Sequence, residues 1–161
     1  MPFYTCARSS WTPTATADGS IFGGADRYDG YTVAASPAIA RIIEIMEGGE
    51  ASTSTVNVMV LRRHSTAATT PTAKTPAEDN PSSPANIGTY HQTASTQPTP
   101  ANATHLANLT INSFGGVLLW VAPPNGGKFM VGGSTGNTEI SISAVSGTPG
   151  VISTHFVVEE L

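Results

Sequence analysis

The chain has 161 residues, of which 11% are charged, and its formal net charge is -4. That length fits one domain able to bury an apolar core, and so few charges provide no basic surface of the kind that binds a phosphate backbone. We therefore expect no nucleic-acid partner. The single cysteine, Cys6, excludes an internal disulfide and is expected to be a packed, unreactive residue.

The chain has few charged residues and many small or β-branched ones. Threonine, alanine, serine and glycine make up nearly half of the chain. Glycine is unfavourable inside helices, and serine and threonine side chains compete with helical hydrogen bonds, so this composition favours strands and turns. The N-terminus MPFYTCARSS lacks the basic and apolar regions of a signal peptide, and no apolar run is long enough for a bilayer. We expect no membrane partner.

The first 38 residues alternate turn signals with aromatic residues. Asp18-Gly19, Gly23-Gly24 and Asp29-Gly30 are typical of turns. This pattern predicts an irregular N-terminal arm over residues 1–38, with one or two short strands. Its aromatic side chains need cover from the chain's own core or from a neighbouring subunit. The predicted interface residues of the arm are Phe3, Tyr4, Trp11, Phe22, Tyr28 and Tyr31.

Two strands are predicted after the arm, at the start of a domain over residues 39–161. STVNVMVLRR, residues 54–63, has the period-two alternation of a strand. ARIIEIMEG, residues 40–48, fits a short helix by periodicity alone, but its isoleucines and the Gly48-Gly49 turn favour a hairpin. Arg62 and Arg63 are expected to close the second strand and to belong to the interface.

Residues 65–103 form a proline-bearing tract in which Ile87 and Tyr90 are the only larger apolar or aromatic residues. Such a tract could be a linker, a catalytic loop or a surface arm. GTYHQTAS, residues 88–95, is expected to form a short strand within it. Because the tract has few apolar side chains to offset its ordering entropy, we expect other subunits to order it, with Tyr90 in the interface.

The remainder of the chain is typical of a β meander. HLANLTINS, GVLLWVA, GKFMVGG, TEISISAV and GVISTHFVVEE all have the length of strands. These runs and the earlier strands predict an all-β fold, a single antiparallel β-sandwich with a jelly-roll layout. Its predicted core residues are Leu118, Trp120, Phe129, Val131, Ile140, Ile142, Phe156 and Val158.

The sequence contains no pattern that indicates catalysis, a metal or a cofactor. The four histidines lie on different predicted elements without ligand spacing, the aspartates near the N-terminus lack an EF-hand pattern, and no GxSxG is present. Glu44 and Glu47 would point to opposite faces of one strand, which argues against a shared glycosidase site. We therefore expect no enzyme activity, and a hydrolase with an unfamiliar site is the weakest alternative.

One long run resembles a known group of proteins. VNVMVLRRHSTAATTPTAKTPAEDNPSSPANIGTYHQTASTQPT, followed by an apolar strand and a C-terminal FVVEE, resembles small structural proteins of tailed bacteriophages. The matching parts are Leu61 to Arg63, Thr69 to Asn80, Gln97 to Thr99 and Phe156 to Glu160, within residues 40–161. The chain departs from that group at its tryptophans, because Trp120 is the only one in the C-terminal half.

The resemblance implies a virion protein on the outer capsid surface, made in the host cytoplasm. We expect a capsid decoration or cement protein that binds the major capsid protein and itself, as a homotrimer, with the proline-bearing tract acting as a clasp on a neighbouring subunit. The alternative is a tail or head fibre component that binds a receptor or carbohydrate. Trp11, Tyr28, Tyr31 and Tyr90 would offer the aromatic faces that sugars require.

Overall fold

The computed structural model describes residues 1–14, 23–33, 38–66, 72–96, 99, 101, 105–124, 129–132, 138–146 and 148–161, with backbone alone at 23–29, 94–96, 130 and 146. This part of the chain is all-β and has no helix, and so none that could cross a membrane. Its strands are β1 (Phe3–Trp11), β2 (Gly23–Val33), β3 (Ile39–Glu50), β4 (Val56–His64), β5 (Ala73–Lys74), β6 (Ala77–Glu78), β7 (Gly88–Thr96), β8 (Ala107–Asn108), β9 (Ile111–Asn112), β10 (Phe114–Val121), β11 (Phe129–Gly132), β12 (Glu139–Ser146) and β13 (Ile152–Glu160).

The strands form two antiparallel sheets. The first has the order β10-β3-β13-β1-β6, and β11 pairs with the half of β3 that β10 leaves open. The second has the order β5-β7-β2-β12-β4-β8, and β9 pairs with the start of β4. Two antiparallel sheets with apolar side chains between them are consistent with the predicted β-sandwich.

The core lies where the inner faces of the two sheets meet. Phe156 of the first sheet packs edge to face on Tyr90 of the second, with ring centroids 5.7 Å apart. Complete burial of a large aliphatic or aromatic side chain stabilises the fold by about 1.5–3 kcal/mol. The predicted core is confirmed: five of its members are buried, and three pack against them at the rim. The buried ones are Val131, Ile140, Ile142, Phe156 and Val158, and those at the rim are Leu118, Trp120 and Phe129.

The N-terminal residues differ from the predicted arm. β1 is an interior strand of the first sheet, between β13 and β6, and β2 is an interior strand of the second, between β7 and β12. Tyr4 and Cys6 face the core while Phe3 and Thr5 face outward, so this short segment is amphipathic and has a place in a sheet. Strands β1 and β2 of the predicted arm therefore share both sheets with strands from residues 39–161.

The predicted loop over residues 65–103 contains the expected strand, β7, which pairs with β2. The segment before it is also bound to the chain itself. The Thr72 amide donates to the Thr93 carbonyl at 2.8 Å, and β6 pairs with β1. Contacts within one chain thus hold residues 72–96, where the sequence predicted contacts with other subunits. The rest of the loop lies largely outside the described residues.

The buried carboxylate of Glu160 joins the two sheets. It accepts hydrogen bonds from the Tyr31 hydroxyl in the second sheet, from the Ile87 amide at 2.9 Å and from the Gly88 amide at 2.9 Å. A Cβ atom at Gly88 would lie 2.3 Å from the Tyr31 ring, so only glycine fits beside this tyrosine. The arrangement fixes the start of β7 against the end of β13.

We predict that Glu160→Ala lowers the free energy of unfolding by about 2–4 kcal/mol, because it leaves a buried hydroxyl, a buried amide and a partly buried amide without their acceptor. Urea unfolding followed by tryptophan fluorescence measures the change. Glu78→Ala removes an exposed carboxylate from β6 and should alter stability by less than about 0.5 kcal/mol. Equal effects of the two substitutions would contradict the proposed role of Glu160.

Tyr31 predicts a loss of stability at alkaline pH. Burial, followed by the hydrogen bond to Glu160, raises the pKa of Tyr31 far above its ordinary value of 10.0. Above pH 10 the unfolded chain releases this proton while the native chain keeps it, so the free energy of unfolding falls by about 1.4 kcal/mol per pH unit. Tyr31→Phe should remove that slope in urea titrations between pH 9 and about 11. An unchanged slope would show that Tyr31 titrates normally.

Candidate interaction surface

The outer face of the first sheet carries a row of exposed apolar side chains. Leu118 and Trp120 of β10 turn inward and pack against the core. Because side chains alternate along a strand, Val117, Leu119 and Val121 point outward, where they are 76%, 61% and 56% exposed. The run GVLLWVA therefore buries one apolar face and exposes another.

β3 widens this row. Met46 lies opposite Leu119 in the β3–β10 ladder and is 43% exposed. We refer to Met46, Val117, Leu119 and Val121 as the apolar row. Adjacent large apolar side chains with this much exposure mark a surface that gains free energy when another molecule covers it.

A cleft of about 480 Å³ opens at the Val121 end of the apolar row. Its apolar lining comes from Phe3, Ile43, Val121, Ala122, Pro124 and Val157, and its acidic lining from Glu44, Asp79 and Glu159. Strands β1, β3, β10 and β13 all contribute, so the cleft belongs to the sheet and not to a single loop. The size is within the range of small-molecule and side-chain binding pockets.

The carboxylates of the cleft have partners within the chain. Glu159 forms an ion pair with Arg41, and this hydrogen bond raises the pKa of the Arg41 guanidinium. Asp79 accepts a hydrogen bond from the Thr5 hydroxyl at 2.6 Å. Glu44 Oε1 is 3.8 Å from His155 Nε2 at the cleft margin. Among the residues that the structure describes, the lining includes no basic residue, so the apolar row ends at an acidic margin.

Of the aromatic residues predicted at the interface, Phe3 lies on this surface and is 38% exposed. Tyr4, Trp11, Tyr31 and Tyr90 are buried inside the chain. These four pack on the chain's own core, which is one of the two alternatives that the sequence left open. In this structure they are covered and offer neither a subunit contact nor an aromatic face for a sugar.

The remaining predicted interface residues are distributed elsewhere. Phe22 and the side chain of Tyr28 lie outside the described residues. Arg62 is buried and its guanidinium is 3.0 Å from His105 Nε2. Arg63 is partly buried, and that burial lowers the pKa of its guanidinium. The two arginines therefore lie within the second sheet's own packing, while the predicted interface role of all these residues stays a prediction.

A cluster of polar side chains lies on the side of the second sheet that faces away from the apolar core, and these side chains are buried as well. Glu139 lies opposite both His64 and Thr32 in the ladders, and its Oε2 atom is 3.7 Å from His91 Nδ1. His64 Nε2 is 2.7 Å from the Ser141 hydroxyl. Hydrogen bonds of this kind offset the cost of removing polar groups from water.

Ser141 and His64 are the residue types of a nucleophile and its base, but neither side chain is accessible to solvent. Ser141 is 2% exposed and His64 is fully buried, so no substrate reaches them in this structure. Glu44 and Glu47 lie on opposite faces of β3, one at the cleft and one in the interior, as the sequence predicted. Among the described residues, no group of three or more histidine, cysteine, aspartate or glutamate side chains is placed to hold a metal ion.

The apolar row is not recognisable from the sequence alone, although its signal is present. Val117, Leu119 and Val121 have the spacing of one strand face, but Leu118 and Trp120 between them are apolar as well. A strand that is apolar on both sides is indistinguishable from a strand buried on both sides until its neighbours are known.

Comparison with protein-family models, with curated proteins and with solved structures finds no match to this chain. Its function is therefore argued from the surface and the fold.

Proposed function

We propose that this protein is a non-enzymatic structural protein of a tailed bacteriophage that binds the outer surface of the assembled capsid and stabilises it. The observation that carries the proposal is the apolar row, with side chains 43–76% exposed on a regular sheet face. A flat, rigid face of this kind suits docking on another protein surface, because little conformational entropy is lost when it is covered.

The strand pairing supports a jelly-roll layout for this protein. In a jelly roll the first strand pairs with the last, the second with the second last, and so on, with successive pairs in alternating sheets. The antiparallel pairs here are β1 with β13, β2 with β12, β3 with β10 and β4 with β8. The short β5 and β6, together with β7, form an insertion between β4 and β8. Viral capsid domains are among the proteins that use this layout.

The residues that carry the resemblance to phage structural proteins support a structural role. Leu61 is fully buried in the core, and Phe156 and Val158 of the FVVEE segment are buried as well. Glu160, which ends that segment, joins the two sheets. These four matching residues thus maintain the fold, which fits a family whose members share an architecture and not a reaction.

The low charge of the surface determines what kind of docking is favourable. Charged side chains must lose water when an interface forms, whereas apolar area contributes about 25 cal/mol for each Å² removed from water. The apolar row carries no charge, and the nearest carboxylate, Glu44, lies at its margin. Covering the row therefore removes apolar area from water and leaves Glu44 hydrated at the edge.

We predict that Met46→Lys reduces binding to purified capsids that lack this protein by about tenfold or more, because it places a charge in the middle of the apolar row. Co-sedimentation measures the binding. Thr89→Lys makes the same change of charge at an exposed site on the second sheet and should leave binding unchanged. Loss of binding by neither variant would contradict docking through this face. Glycan-array hits without capsid binding would support the fibre alternative.

A further inference from the structure

The backbone of β10 has an open edge. β10 ends the first sheet, and within the described residues its one ladder is with β3. The Ala122 amide donates to the Ile43 carbonyl at 2.8 Å, so alternate residues counted back from 122 direct their backbone groups toward β3. Val117, Leu119 and Val121 therefore direct their N–H and C=O groups toward the open edge.

This edge lacks the features that usually block strand pairing. Edge strands are commonly protected by charged residues, proline, bulges or very short length. β10 has eight residues, FGGVLLWV, with no charge and no proline. Its one irregularity, between Phe114 and Val117, lies at the start of the strand. Residues 117–121 thus form a regular, uncharged segment with both its backbone groups and its apolar side chains open to another strand.

We propose that β10 pairs antiparallel with β10 of a second copy, about a twofold axis at Leu119, so that two first sheets become one continuous sheet. Leu119 of one copy faces Leu119 of the other, and Val117 faces Val121. The outward pattern Val-Leu-Val is a palindrome, which suits an isologous contact because each side chain then meets one of its own size. Each of these facing pairs, whose backbone groups point to the open edge, also exchanges two backbone hydrogen bonds.

The charge distribution is compatible with this occupant and favours this register. Each copy has a net charge of -4, and because the facing segments carry no charge, the contact adds no close like-charge pair to the overall repulsion. Glu44 lies beside Val121 and so at opposite ends of the paired strands in the two copies. Centring the axis at Val121 would place the two Glu44 residues level with each other, on strands three spacings or about 14 Å apart, whereas the axis at Leu119 adds about 14 Å along the strands. The axis at Leu119 therefore keeps them farther apart.

The pairing goes beyond the proposed capsid role and does not depend on it, since it involves no other protein. It differs from the homotrimer expected from the sequence, because a twofold contact at one edge closes after two copies. It would also place two apolar rows on one continuous face, so a capsid-bound dimer would gain from two linked contacts.

Cysteine cross-linking tests the register. Cys6 is the only native cysteine and is buried, so an introduced cysteine is the reactive thiol. Facing residues of a hydrogen-bonded pair are about 5.5 Å apart, whereas residues four positions out of register are about 14 Å apart along the strand. Leu119→Cys should therefore give a covalent dimer with a short bismaleimide. Val117→Cys and Val121→Cys should each give no covalent dimer when alone and should cross-link when mixed.

The same experiment has clear contrary outcomes. No cross-linking of Leu119→Cys, or equal cross-linking of all three single variants, would overturn the proposed pairing. Sedimentation of the unmodified chain should give twice the monomer mass; Leu119→Lys should restore the monomer mass, and Thr89→Lys should not. A stable trimer or a monomer at all concentrations would also overturn it. These measurements use pure protein, whereas the capsid role is tested with particles, so either proposal can fail without the other.

Discussion

The alignment of the two sheets on each other depends on one buried carboxylate. Glu160 ends β13 in the first sheet, and its carboxylate accepts hydrogen bonds from Tyr31 of the second sheet and from the two amides that begin β7. A buried carboxylate is tolerated only when such donors surround it. Apolar contacts in the core stabilise the packing of the sheets but are not directional, whereas the hydrogen bonds of Glu160 require a fixed geometry. It therefore specifies which residues of the two sheets face one another.

The polar side of the second sheet adds a second source of specificity. β12 places Ile140, Ile142 and Ala144 on the core side and Glu139 and Ser141 on the other, and all of these side chains are buried. A shift of the ladder by one residue would exchange the two faces, because the side-chain period of a strand is two. The shift would carry a carboxylate and a hydroxyl into the apolar core. Burial of these polar side chains costs stability, but it fixes the register of β12 in the second sheet.

The sequence predicted most of the strands from β3 onward, where alternation is regular and strands are long, but not their partners. The expected hairpin of β3 with β4 is wrong, because the two strands lie in different sheets, and the expected meander is wrong, because β10 and β11 pair with β3 while β12 pairs with β2 and β4. It predicted the N-terminal segments poorly, since glycine pairs and Asp-Gly steps in β2 are typical of turns, and tertiary pairing with β7 and β12 overrides that local preference. Most of the predicted interface residues are aromatic, yet Tyr4 and Tyr31 are among the most deeply buried side chains. The apolar row could not be located from the sequence because exposure depends on which strand forms the sheet edge.

The pairing of β1 with β13 has a mechanical consequence. Phe3 lies opposite Glu159 at one end of this ladder, and Trp11 lies opposite Ile152 at the other. A force that separates Phe3 from Glu159 loads the residue pairs of the ladder one after another, so the two strands separate pair by pair from that end. A force directed along the strands loads all pairs of this ladder together. The ladder therefore yields more readily to tension that separates Phe3 from Glu159 than to shear along its strands.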